Sequence, residues 1–97
     1  MIQEPGNGDG PIGPTGIVKP LTIYINARSV AWEKPTISFA QVVELWNGLD
    51  PARHVIGDLP GVNWVAKDGT KGILYPSDDP MAVVDELSFE IDDSYLA

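Results

Sequence analysis

One stretch of this chain repeats its apolar residues with the period of a helix. In "ISFAQVVELWNG", Phe39, Val42, Val43 and Trp46 recur at i, i+3, i+4 and i+7, a stripe able to cover one face of one sheet. Ser38 is a good N-cap, and Gln41 three residues later completes a capping box. Ile37 before the cap and Val42 after it supply a hydrophobic staple. Asn47 and Gly48 tolerate positive φ and are expected to stop the helix there. A large aromatic stripe at this spacing is a core signal, so Phe39 and Trp46 are assigned no ligand role.

The other patterned segments alternate with period two. Leu21, Ile23 and Ile25 share one face while Thr22, Tyr24 and Asn26 share the other, which defines a half-buried strand. After a polar break at Asn26 to Ser29, Val30 and Trp32 read as the return strand of a hairpin, ended by Pro35. Residues 49 to 61 carry Pro51, Gly57, Pro60 and Gly61 and read as a crossing loop with room for one short helical turn. A strand then sets Val62, Trp64 and Ala66 against Asn63, Val65 and Lys67, and Asp68 with Gly69 predicts a two-residue turn before "TKGILY". Pro76 and Pro80 bracket another turn. In the last strand Leu87, Phe89 and Ile91 point inward, and Ser88, Glu90 and Asp92 face water.

The order strand, strand, helix, strand, strand, strand has few compact solutions. It predicts an α+β fold of the β-grasp type: a mixed sheet of four to five strands with one helix packed on one face. The opening and closing strands pair in parallel at the centre, so their connection must pass over the sheet.

Size bounds what such a fold can hold. Residues 1 to 18 contain five Gly and three Pro with almost no apolar period, and read as a flexible leader before a domain spanning residues 19 to 97. A domain of that length buries roughly 60 to 65% of the surface its unfolded chain exposes, enough for one modest core and no deep active site. The absence of cysteine excludes a disulfide framework and thiolate chemistry. No apolar run approaches the roughly 20 residues of a membrane span, and "MIQEPGNGDG" lacks the parts of a signal peptide, so a soluble, cytoplasmic protein is expected.

The formal charge is −8, from fourteen acidic residues against six Lys plus Arg. Nucleic acid and anionic membranes are repelled by such a chain and are not expected partners. Seven of the acids lie between Asp78 and Asp93, a negative field that serves solubility or steers a basic partner.

No catalytic or metal constellation stands out. His54 lies in "PARHV" near Asp50 and Asp58 with no ligand partner at helical or strand spacing, and reads as a solvated loop residue. "SDDP" and "DELSFEIDD" match calcium ligands in composition but not in spacing. The serines have no paired His and acid, and the leader glycines neither follow a strand nor precede a helix. The expectation is a non-enzyme without cofactor or metal.

The stretch "LTIYINARSVAWEKPTISFAQVVELW" together with "YPSDDPMAVVDELSFEID" resembles the prokaryotic ubiquitin-like domains, particularly the bacterial multiubiquitin-type repeats. The resemblance covers roughly Pro20 to Ser94 and rests on the opening strand, the "IS-F--VV-L" helix start and the acidic turn before an "L-F-I" strand. It implies a protein modifier of a bacterial conjugation pathway, in antiviral defence or stress response. The partners it implies are an E1-like activating enzyme, an E2-like conjugating enzyme, a deconjugating or processing protease, and target proteins.

In such pathways the C-terminal carboxylate is the handle. An ionised carboxylate is a poor electrophile, so it is adenylated and passed through an enzyme nucleophile to an acceptor. That makes Tyr95, Leu96 and Ala97 the expected conjugation tail, a short arm leaving the sheet after Asp92, with Lys19, Lys34, Lys67 and Lys71 as acceptors if chains form. Familiar modifiers end in paired glycines, whereas this chain ends in Leu96 and Ala97. Three alternatives follow: a system that accepts Ala97, a processed product, or a non-covalent β-grasp interaction module that docks by its sheet face or an exposed edge strand.

Overall fold

Ile23 and Ile25 carry the alternation of the opening segment into the interior, where both are fully buried, and their strand β1 (Leu21–Ile25) is central in the sheet. The computed structural model of the chain describes residues 19–97. The leader expected over residues 1 to 18 lies outside the described residues. β1 turns back into β2 (Arg28–Trp32), antiparallel, with Ile25 opposite Arg28. The turn is therefore Asn26 and Ala27 alone, tighter than the polar break to Ser29 predicts. Both residues sit at positive φ, 48° and 68°, the mirror-image geometry that matches the twist of a hairpin.

β3 (Thr36–Ile37) leads into α1 (Phe39–Leu49). The capping box forms as its sequence predicts: the Ser38 hydroxyl accepts from the Gln41 N–H at 3.2 Å, and the Gln41 side chain accepts from the Ser38 N–H at 2.9 Å. The helix does not stop at Asn47 and Gly48. It runs to Leu49, and the Asp50 N–H still donates to the Trp46 carbonyl at 2.9 Å. Leu49 packs against the core, and that burial outweighs the local stop signal. Within the stripe, Val42 and Trp46 are buried while Phe39 and Val43 are half-buried.

The crossing loop contains the expected short turn, a 3₁₀ segment at Pro51–Arg53. β4 (Val62–Val65) and β5 (Lys71–Leu74) then form a hairpin whose loop is three residues, Lys67 to Gly69, rather than the two predicted. The Ala66 N–H donates to the Thr70 carbonyl and the Gly69 N–H to the Ala66 carbonyl, so only Gly69 needs a positive φ, at 94°. A two-residue turn of the hairpin type would force Asp68 there as well.

The last strand, β7 (Leu87–Glu90), pairs in parallel with β1, placing Leu87 beside Ile23 and Phe89 beside Ile25, and antiparallel with β4, placing Phe89 beside Trp64. The order β2-β1-β7-β4-β5 makes a mixed five-stranded sheet with one helix packed on it, the α+β arrangement of a β-grasp. A second, two-stranded ladder joins β3 to β6 (Met81–Ala82). Strands of two residues are too short to show a period, so sequence does not announce them.

The core lies between sheet and helix. Ile23, Ile25, Ile37, Val42, Val62, Leu87 and Phe89 are its most deeply buried side chains, each contributing about 1.5 to 3 kcal/mol by leaving water. Among the described residues no helix is long and apolar enough to cross a membrane.

Candidate functional site

Beyond β7 the chain does not project. Ile91 stays buried, and its N–H donates to the Asn26 side-chain oxygen at 2.8 Å while the Asn26 N–H donates to the Phe89 carbonyl at 2.9 Å. The turn between β1 and β2 thus holds the exit of the final strand. Next, Asp92 accepts from both the N–H and the hydroxyl of Ser94 at 2.9 Å and caps a 3₁₀ turn, Asp93–Tyr95. That turn swings Leu96 back into the interior, where it is only 7% exposed.

The receiving segment is residues 53 to 56. The Ile56 N–H donates to the Tyr95 carbonyl at 2.8 Å and the Ala97 N–H to the His54 carbonyl at 2.9 Å, an antiparallel bridge between Val55 and Leu96. Arg53 reinforces it, donating from Nε to the Ala97 carbonyl and pairing with the Asp93 carboxylate, both at 3.3 Å. The pair is largely exposed and adds little energy by itself. The segment is in turn anchored to α1: the Trp46 indole N–H donates to the Arg53 carbonyl, and the Asn47 side chain accepts from the Val55 N–H, both at 2.8 Å.

The expected free arm of Tyr95, Leu96 and Ala97 is therefore a docked latch. Its apolar Leu96 finds a closed seat only because the loop after α1 returns to the end of β7. Local pattern cannot reveal this, because the partners Arg53 and Ala97 stand 44 positions apart. His54 takes part through its backbone carbonyl; its ring Nδ1 lies 3.0 Å from the Pro51 carbonyl.

The capping acid makes the latch sensitive to acid. Hydrogen bonds from the Ser94 N–H and hydroxyl hold the Asp92 carboxyl below its ordinary value of 3.8, and the Thr70 N–H does the same for Asp68 in the hairpin loop. A carboxyl depressed in the folded state stabilises that state above its unfolded value, and the contribution is lost as pH falls through the lower folded value. The amides of Ser94 and Thr70 are accordingly expected to lose their bonded chemical shifts as pH falls below the ordinary carboxyl value of 3.8 in an NMR titration, while those of Ile23 and Ile25 hold.

The four lysines are all exposed. Lys19 precedes β1, Lys34 follows β2 with its ammonium 6.0 Å from the Trp32 ring, Lys67 pairs with Glu86 at 3.4 Å, and Lys71 opens β5. Lys67 and Lys71 stand on either side of the same hairpin loop. Among the described residues no group of three His, Cys, Asp or Glu could hold a metal ion.

A second feature lies on the sheet face opposite the core. Val65, Ile73 and Tyr75 are 42%, 46% and 47% exposed. Asn63 faces Ile73 across the ladder, so Val65 is its diagonal neighbour, and Ile73 and Tyr75 both lie over Gly61. The result is an apolar strip of Tyr75 and Ile73, with Val65 diagonal to Ile73, at β5, which among the described residues has a ladder partner on one side only. The alternation around the buried Leu74 is its sequence signal, with Ile73 and Tyr75 of the opposite parity. No protein-family model matches the chain, and no curated protein matches it.

Proposed function

We propose that this chain is a non-covalent β-grasp protein-interaction module that recognises partners through the outer face of its sheet and the β5 edge. The observation that carries this is the strip of Val65, Ile73 and Tyr75: three large apolar side chains nearly half exposed, Ile73 and Tyr75 meeting over Gly61 and Val65 diagonal to Ile73. Scattered exposed apolar residues are ordinary, but a contiguous patch beside an unpaired strand edge is a surface that another protein can cover. The latch agrees with this, because a tail held by Leu96 and by bonds to residues 53 to 56 is not poised to thread an enzyme cleft.

A second reading keeps the chain as a ubiquitin-like modifier, joined to targets through Ala97 by E1-like and E2-like enzymes and released by a protease. One observation favours it: residues 93 to 97 form their own turn beyond the final strand, so they can detach without breaking a rung of the main sheet. The modifier would then work only after the latch opens.

One experiment separates the two. Proteins of the source cell are captured on the chain, with and without ATP, and resolved on a denaturing gel. The interaction module predicts partners that elute under denaturation, do not need ATP, and disappear when Val65→Asp and Ile73→Asp are combined. Both side chains are exposed, so the double variant should still fold. ATP-dependent adducts that survive denaturation and are indifferent to those substitutions would overturn it in favour of the modifier.

A further inference from the structure

On the opposite side of β4 from Val65, Trp64 and Ala66 floor a groove of about 400 Å³, with Leu87 beside them and Met81 and Val84 as its walls. We propose that this groove binds a cationic amphipathic peptide segment, seating one aliphatic side chain on Trp64 while neighbouring Lys or Arg side chains meet Asp68 and Asp85. The proposal is independent of the outer-face reading, since β4 alternates and Val65 points to the other side.

The groove is preformed. Trp64 stands opposite Gly72, and a Cβ on Gly72 would come within 2.8 Å of the indole, so the ring lies flat against bare backbone. The wall at residues 84 to 87 is pinned at three points: the Glu86 N–H donates to the Thr22 carbonyl at 2.7 Å, the Thr22 N–H to Asp85 at 3.0 Å, and the Leu87 N–H to the Val84 carbonyl at 3.3 Å. Glu86 holds a positive φ of 63° to make this bend. A rigid apolar slot needs little ordering when a ligand enters. Val84, at 48% exposed, is the side chain a ligand would cover.

Charge selects the occupant. Of the charged groups on the rim, Lys67 is already paired with Glu86, which leaves Asp68 and Asp85. Each accepts through its Oδ1 within the chain, from the Thr70 N–H and the Thr22 N–H. At neutral pH the Asp68 rim is anionic, its carboxyl lying below the ordinary value. A chain of net charge −8 repels a second copy of itself, an anionic lipid and a nucleic acid, and attracts a basic peptide.

The test uses the full chain, labelled with nitrogen-15, and three blocked hexapeptides: Gly-Arg-Leu-Lys-Arg-Gly, the same with Ala for Leu, and Gly-Glu-Leu-Asp-Glu-Gly. The first is expected to shift the Trp64 indole and the Val84 and Thr70 amides saturably below about 5 mM. The alanine peptide should bind about tenfold or more weakly, and the acidic one should leave these signals unmoved. Asp68→Asn, which keeps the oxygen that accepts from Thr70, should weaken binding several-fold, and the exposed Val84→Ser about tenfold. The proposal is overturned by any of three results: no saturable shift, equal binding of the Leu and Ala peptides, or shifts centred on Val65 and Ile73.

Discussion

Replacing Leu96 by Ala opens the C-terminal latch while leaving the sheet intact, and amide hydrogen exchange reads the difference. Leu→Ala at a buried site costs about 2 to 4 kcal/mol, which corresponds to roughly 30- to 1,000-fold faster exchange where opening of that site limits protection. The acceleration is expected at Ile56 and Ala97, whose N–H groups donate across the bridge, and not at Ile23 or Ile25 in β1. Localisation follows from the geometry: Leu96 is the only buried side chain of residues 92 to 97, and its backbone partners are a loop rather than the sheet. Equal acceleration in β1 would show instead that the tail unfolds only with the whole domain, and a conjugating enzyme would then have no separable tail to take.

Phe89→Ala strikes the centre and is expected to have the largest effect on global stability. Phe89 is 2% exposed on β7, in register with Ile25 on one side and Trp64 on the other. Removing its ring leaves a cavity that a five-stranded sheet cannot collapse, at about 3 to 5 kcal/mol. A domain of this length has a total stability of roughly 4 to 12 kcal/mol, so the variant loses from about a quarter to all of it. Urea denaturation followed by tryptophan fluorescence should show the midpoint falling by about 2 M or more. Phe89→Leu, which keeps most of the apolar volume, should fall by less than half as much. A Phe89→Ala midpoint within about 0.5 M of the parent would mean that β7 is not the hub of the core.

The main elements were legible because their signals are local. The alternation of Leu21 to Ile25 and of Leu87 to Ile91, and the reciprocal bonds of Ser38 and Gln41, need no residue outside their own segments. Their order then leaves a parallel central pair as the natural topology, and β1 lies beside β7 as that order requires. Of the finer departures, the three-residue loop has a local cause in Gly69, whereas the longer helix comes from Leu49 packing on the core.

The candidate sites were only partly legible. Val65 could be assigned to the outer face from alternation, and Tyr95 to Ala97 could be named as the tail. Neither the convergence of Ile73 and Tyr75 on Gly61 nor the docking of Leu96 beside Val55 has a local signature.

By itself, then, the amino-acid order determined which of the longer segments are extended, where the helix begins and which face of each of them is apolar. Those properties depend on side-chain parity and on hydrogen bonds spanning a few residues. The tertiary structure alone decided that the tail is held, that a second small ladder closes beside the helix start, and that a groove stays open over Trp64. Each of these depends on surfaces that meet only after distant segments have been brought together.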